Sequence, residues 1–363
     1  MNLTKSKRVF EIDVLRGIAV ILVMFRHFHT TDYTIRIPVL QNIGWIGVDL
    51  FFVLSGFLIS TLLYREIDKY GNINFKRFFI RRGFKIYPSF YILILFTIII
   101  KLISNKGIEH KELLAECFFL QSYIKGMLVH TWSLGVEEHF YILLPLLLIF
   151  FIKVSNKKIT DTNFISLAFI IIAFFCLCIR CYNAYFKPPE LYKNIFNTHI
   201  RMDSLFFGVF LSYHYRYNYL MMKDIVCKYY LFFIFYCILV IPVAYFFDVT
   251  SVFIVSIGFT LLYLAFGIIL LIALYAKDIF KTEYIFNSVI FKLIAFVGFY
   301  SYTIYLWHIP AEAIINRFNI YYKWNIYLGF ILYLMLSVVA GVISSKTVEI
   351  PALKIRDKYF KDT

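Results

Sequence analysis

Apolar runs of about 18–25 residues recur along nearly the whole chain with short polar loops between them, a length that matches the hydrocarbon core of a bilayer. This repeat constrains the fold more than any other feature. A chain of 363 residues that is 61% hydrophobic and only 16% charged has too little polar coat for a soluble domain of its size. Spans are expected at 10–29, 43–64, 86–103, 131–152, 163–181, 200–215, 229–247, 252–276, 290–313 and 325–345. The predicted class is all-α: a polytopic membrane bundle of about ten transmembrane helices, with residues 1–363 forming a single domain. The first run follows Lys5, Lys7 and Arg8 but is long and lacks an A-x-A cleavage site, so it reads as a retained helix and not as a signal peptide.

Charge sets the orientation. The net charge is +15, from 37 Lys and Arg against 22 Asp and Glu. In a soluble chain such an excess suggests nucleic acid; here the loop distribution accounts for it and no nucleic-acid partner is expected. With the amino terminus inside, loop 65–85 carries Arg65, Lys69, Lys76, Arg77, Arg81, Arg82 and Lys85 on the cytoplasmic side. Loops 153–162 and 216–228 and the tail with Lys346, Lys354, Arg356, Lys358 and Lys361 fall inside as well, whereas 30–42 has only Arg36. The bias puts both termini in the cytoplasm. The partner implied everywhere is the lipid bilayer, and no segment specifies an oligomeric state. Among the six cysteines, Cys178 and Cys181 make one C-x-x-C with no second ligand pair; we read all six as packing residues and expect no metal.

The ionisable residues inside the apolar runs carry the functional argument, because such groups are costly in a bilayer and mark pathways or sites. In DVLRGIAVILVMFRHFH, Arg16 and His27 are 11 residues apart, about 1,100° of helical turn, so they share a face roughly 16 Å apart along the axis. Asp13 lies within about 60° of Arg16. The three form one stripe, with Asp13 and Arg16 inward and His27 outward. Arg26 and His29 point elsewhere, to the outer interface or a neighbouring helix. In HTWSLGVEEHFYILLPLLL, Glu137 falls about 40° from Ser133 and shares its face, while Glu138 turns a further step away. Asp49, Arg201, Asp203 and His308 enter their helices at the same outer depth, which suggests a polar chamber there. At the inner mouth KRFFIRRGFK, with Arg81, Arg82 and Lys85, is a candidate anion site.

These residues resemble the acyltransferase-3 family of membrane acyltransferases. The similarity runs along nearly the whole chain: the R-x10-H of Arg16 and His27, WIGVDLFFVLSGFLIS, RRGFKIYPSFY, WSLGVEEHFY, RMDSLFFG, SYTIYLWH and VEIP, in that order. Departures are Lys85 where the family's R-x-x-R has its second arginine, Gly135 for a usual Ser and His139 for a usual Gln. No esterase-type domain follows the last helix, so the chain resembles the stand-alone branch. The resemblance implies a bacterial inner-membrane O-acetyltransferase with no permanently bound cofactor and acetyl-CoA, or another acyl-CoA, as co-substrate. The acceptor it implies is a hydroxyl of a glycan or lipid-linked glycan, such as O-antigen, capsule or exopolysaccharide, on the extracytoplasmic side. In that scheme His27 is general base or acyl carrier and Glu137 orients it. Arg16 organises the acyl-CoA arm, while Arg81, Arg82 and Lys85 hold its phosphates. Asp13, Asp49, Ser133, Asp203 and His308 are substrate-binding or structural polar groups. A transporter or flippase of a glycan precursor, using the same stripe as a proton relay, is the competing reading, and a membrane assembly factor without a ligand is the third.

Overall fold

Backbone polar groups in lipid must be satisfied within the chain, which leaves helices as the economical solution for long apolar runs. The computed structural model describes residues 9–28, 38–155, 163–186, 190, 194–281, 288–322 and 325–360, and among these it contains helices and no strand. The principal helices are α1 (Phe10–His27), α2 (Gly47–Tyr70), α3 (Phe75–Ile103), α4 (His110–Cys117), α5 (Trp132–Ser155) and α6 (Phe164–Phe186). They continue as α7 (Met202–Tyr217), α8 (Tyr219–Val240), α9 (Phe259–Leu274), α10 (Val289–Phe299), α11 (Ser301–Tyr322), α12 (Ile326–Ser344) and α13 (Ile350–Tyr359). His29 and Arg36 lie outside the described residues.

Among the described residues, seven helices are long and apolar enough to cross a membrane, or eight if α10 and α11, bent by 81° where they meet, count as one span. Exposed Phe150, Phe174, Leu231 and Ile331 belong to the apolar outer surface such helices present to lipid. The chain is a multi-pass membrane protein. The other two expected spans are helical too, but differ for physical reasons. α1 has 18 residues and carries Glu11, Asp13, Arg16 and Arg26, too much charge for a lipid-facing helix. α7 has 16 residues, about 24 Å at the helical rise, short of the roughly 30 Å hydrocarbon core. Both are buried along much of their length, so other helices and not lipid surround them.

Two glycine contacts set the central packing. α1 crosses α10 so closely that a Cβ built on Gly298 would lie 1.8 Å from the Asp13 carbonyl oxygen, and one on Gly17 would lie 2.1 Å from that of Ile294. α2 crosses α7 in the same way, through Gly56 against Leu205 and Gly208 against Val53. Small residues let membrane helices approach backbone to backbone where no hydrophobic force between them is available. Further along that second crossing the Thr61 and Ser212 hydroxyls lie 2.8 Å apart. Gly298→Ala is expected to lower the thermal midpoint of the purified protein clearly, since overpacking of this kind costs about 1–3 kcal/mol. Gly107→Ala, whose added Cβ would meet nothing within 4 Å, should leave the midpoint unchanged.

The α1–α10 crossing also places the bend. Two residues beyond Gly298, Tyr300 (φ −98°, ψ 9°) leaves the helical conformation and α11 sets off in a new direction. Tyr302, Tyr305 and His308 thereby turn into the bundle. At the far end α12 runs through a π-helical turn, Ser345–Glu349, into α13. That turn delivers the buried Glu349 to Lys85 on α3.

Candidate functional site

Between α1, α2, α3, α5 and the start of α11 lies a cavity of about 140 Å³. Arg16, Arg82, Glu137 and Glu138 face it together. Glu137 Oε2 accepts hydrogen bonds from Ser55 Oγ (3.0 Å) and from the Tyr141 hydroxyl. Glu138 Oε2 accepts from the Tyr87 hydroxyl at 3.1 Å, while its Oε1 has no partner among the described residues. The Arg82 guanidinium lies over the Tyr141 ring, 4.3 Å from its centroid. Two guanidiniums thus stand against two carboxylates, and the cavity is close to charge balance. Lys85 also lines it, with its ammonium on Glu349. Arg81 does not: it donates to the Phe360 carbonyl (2.6 Å) and faces Asp357 on the terminal segment.

A layer of hydrogen bonds closes the end of this cavity nearest the carboxyl end of α1. The Tyr305 hydroxyl donates to the His130 carbonyl, and Ser133 Oγ lies 2.7 Å from the same hydroxyl. Behind it His308, His27 and His130 gather. The His308 and His27 ring centroids are 4.9 Å apart, and His130 meets His308 edge-on at 5.0 Å. Their tautomers follow from the acceptors around them. His308 Nδ1 lies 2.6 Å from the Tyr305 carbonyl, which only accepts, so Nδ1 carries the proton and Nε2 is an acceptor. His27 Nδ1 lies 2.9 Å from the Val23 carbonyl and 3.2 Å from that same Nε2. With acceptors on both sides His27 holds its proton on Nδ1, and Nε2 is its basic nitrogen.

His27 and His130 line a second cavity, of about 260 Å³, at the carboxyl end of α1. Trp45, Trp132 and Phe196 form aromatic walls, and Arg26, Asp49 and Arg201 supply charge. Asp49 Oδ1 accepts from Arg201 Nη2 at 2.5 Å, both residues being almost completely buried. Asp203 does not face this cavity. Its Oδ2 pairs with Arg180 Nη1 at 2.7 Å, and Arg180 also donates to the Ile200 carbonyl (3.0 Å), to Thr260 Oγ1 (2.6 Å) and to the Ser256 carbonyl (3.4 Å) within a π-helical turn.

The structure brings Arg16 to Glu137 and Ser133 on one cavity, and His27 to His308 and Asp49 around the other. It does not bring Glu137 to His27, because the hydrogen bonds of Glu137 run to Ser55 and Tyr141. Asp13 is buried and lines neither cavity. The sequence reading passed over Glu138, Tyr141, Ser55, Tyr305, Arg180 and His130. Glu138 was discounted for its angle on α5, yet α3 and α11 wrap far enough around that helix to enclose it. Arg180 could have been suspected from its place in the apolar run CLCIRCY, where an unpaired arginine would be costly. Among the described residues no group of three or more His, Cys, Asp or Glu is arranged to hold a metal ion.

The loop before α5 anchors the second cavity. Glu116, at the end of α4, is completely buried and accepts from the Thr131 hydroxyl, between His130 and Trp132. Burial pushes its carboxyl up from an ordinary 4.5 to about 7. The folded loop therefore holds a proton that the unfolded chain releases near 4.5. This contribution to stability is complete below pH 4.5 and is lost as pH rises through 7, at up to about 1.4 kcal/mol per pH unit. The thermal midpoint should accordingly fall between pH 5 and 8, and Glu116→Gln should flatten that slope.

The sequence profile of the family described as "Acyltransferase domain" (Acyl_transf_3) matches residues 9–346. Proteins named O-acetyltransferase OatA from Staphylococcus aureus strains NCTC 8325 / PS 47 and COL are each 27% identical over 380 residues, a stretch covering 96% of this chain and 57% of the relative. The chain spans about three fifths of the length of the curated relatives it matches. No solved structure matches it. The match covers both cavities and the histidine layer between them, and the chain belongs to the acyltransferase-3 family.

Proposed function

We propose that the protein transfers an acyl group, acetyl foremost, from cytoplasmic acyl-CoA to a hydroxyl of a surface glycan on the opposite side of a bacterial cytoplasmic membrane, with both termini on the cytoplasmic face. The observation that carries this is the placement of His27. Its Nδ1 is engaged by Val23 and His308, its basic Nε2 belongs to a residue lining the outer cavity, and His308 and Tyr305 connect it to the inner one. The names of the S. aureus relatives support acetyl transfer to oxygen.

The inner cavity, at about 140 Å³, is small against the roughly 300–1,000 Å³ of a typical ligand pocket. It admits the thioester end of acyl-CoA and not the nucleotide, which stays at the cytoplasmic end of α3 near Lys76, Arg81 and Lys85. Arg16 and Arg82 stand beside the entering arm, each answered by Glu137 or Glu138. The acceptor hydroxyl enters from the outer cavity. Its oxygen attacks the thioester carbonyl carbon as His27 Nε2 takes the hydroxyl proton; the C–S bond breaks, and the CoA thiolate recovers that proton from the imidazolium. If His27 Nε2 instead takes the acyl group first, the same two cavities serve a two-step transfer.

Inverted membrane vesicles from expressing cells, given acetyl-CoA labelled in the acetyl group, test this reading. Label is expected on lumenal glycan and absent from vesicles lacking the protein. Glycan precursor moving into the lumen without acetyl-CoA, and without label, would establish transport and overturn it.

A further inference from the structure

Two buried Arg–Asp pairs stand side by side near the outer cavity, and their hydrogen bonding differs. Arg180 is engaged at every nitrogen: its Nε, Nη1 and Nη2 all donate to protein acceptors, and Asp203 uses both oxygens, the second accepting from the Ser204 backbone N–H at 3.0 Å. That pair organises α6, α7 and α9. Arg201 and Asp49 are 2% and 1% exposed and share one hydrogen bond. Arg201 Nε and Nη1 and Asp49 Oδ2 have no hydrogen-bond partner among the described residues. Both residues line the cavity that His27 lines, and the Arg201 guanidinium carbon lies over the Phe259 ring, 3.7 Å from its centroid.

A buried polar atom left unpaired costs about 1–3 kcal/mol, more when charged, so three in one wall constitute a demand for a particular partner chemistry. The open positions are N–H donors on one side and a carboxylate acceptor immediately beside them. A carboxylate or phosphate would satisfy the arginine and be repelled by Asp49; an ammonium would do the reverse. Adjacent hydroxyls satisfy both, one donating to Asp49 Oδ2 and the next accepting from Arg201. Trp45, Trp132 and Phe196 offer flat apolar faces to the C–H surface of the same molecule, the mix of apolar walls and few placed polar groups that ligand sites use. A cavity of about 260 Å³ holds one ring and not an oligosaccharide.

We infer that Asp49 and Arg201 form a subsite for the vicinal hydroxyls of a single sugar ring, and that this subsite presents a further hydroxyl of that ring to His27. The identification of the outer cavity as the acceptor side rests on the proposed function; the sugar subsite itself rests on the open hydrogen-bonding positions. Specificity follows directly. An acceptor lacking one of the paired hydroxyls leaves either the carboxylate or the guanidinium buried and unanswered.

The test uses the purified full chain in phospholipid nanodiscs, free of sugar-headed detergent, with methyl glucopyranoside and its monodeoxy analogues as probes and tryptophan fluorescence as the readout. Saturable binding is expected from the parent glycoside and at least tenfold weaker binding from one of the 2-, 3- or 4-deoxy analogues. Asp49→Asn keeps an oxygen for Arg201 but replaces Oδ2 with a donor, and should weaken binding at least tenfold. Because that change touches a buried ion pair, Val48→Phe provides a second variant: it fills the cavity without altering the pair and should also abolish binding at an unchanged thermal midpoint. Equal binding by all analogues, or by both variants, would overturn the inference, as would no binding by the parent glycoside. Glycoside binding without transfer from acetyl-CoA would sink the proposed reaction and leave the subsite standing. Transfer from acetyl-CoA to glycan with no contribution from Asp49 or Val48 would do the opposite.

Discussion

His27→Ala protein, present in the membrane at the wild-type level and with an unchanged thermal midpoint, should lose at least a hundredfold in acetyl transfer from acetyl-CoA. Removal of a positioned general base typically costs a factor of about 10²–10⁴. The loss should appear in kcat, because the cavity proposed to receive the acceptor keeps its Asp49, Arg201 and aromatic walls. His308 sharpens the test. Its Nε2 is the acceptor that, with the Val23 carbonyl, keeps the His27 proton on Nδ1. His308→Leu removes that acceptor and should produce a loss intermediate between wild type and His27→Ala, with a changed pH–rate profile. His308→Gln can present a carbonyl oxygen in its place and should recover part of the rate. A merely structural His308 would show up as a lowered thermal midpoint with an unaltered pH profile. Wild-type turnover by His27→Ala would remove His27 from the chemistry altogether.

The second large effect concerns stability. Arg180→Met leaves the Asp203 carboxylate buried without its cation, and Asp203→Asn leaves Arg180 without its anion. Breaking one side of a buried pair typically costs about 3–5 kcal/mol, and neither group here has an exit to water, being 0% and 1% exposed. Both single variants should therefore unfold at much lower temperature in detergent. Replacing both at once with residues of similar volume, Arg180→Met with Asp203→Leu, should recover most of the loss, since an apolar pair avoids the desolvation of two charges. The non-additivity of that double-mutant cycle measures the coupling. Single variants that melt like wild type would show that the pair does not organise α6 against α7. The Arg201–Asp49 pair is expected to respond differently. Both of its residues line a cavity, so its conservative variants should change ligand binding more than they change melting.

Much of this was legible in the chain itself. Apolar run length is a one-dimensional property, and each expected span has a helix at its place. The stripe of Asp13, Arg16 and His27 on α1 is helical arithmetic; in the fold Arg16 lines one cavity and His27 the other, while Asp13 lines neither. The motif run from Arg16 to Pro351 carried the family. The reading failed where a residue's role depended on a second helix. The resemblance implies that Glu137 orients His27, but α2 brings Ser55 to Glu137 and α11 brings His308 to His27. Lys85 and Arg81 read as part of an anion site in the chain; the π-helical turn after α12 supplies Glu349 to the first and α13 supplies Asp357 to the second. Arg180 drew no expectation from the chain, because its partners Asp203 and Thr260 come from α7 and α9.

By itself the sequence determined the helical class, the apolar spans and the helix face on which each ionisable group lies, because hydropathy and the 100° turn per residue are local properties. Only the tertiary structure decided which charge answers which. The 81° bend after Gly298, the glycine crossings of α1 with α10 and of α2 with α7, and the π-helical turn before Glu349 are each a few residues long. They set angles between helices, and those angles sort the polar residues into one cavity near charge balance, one fully engaged ion pair, and one wall with hydrogen bonds still to make.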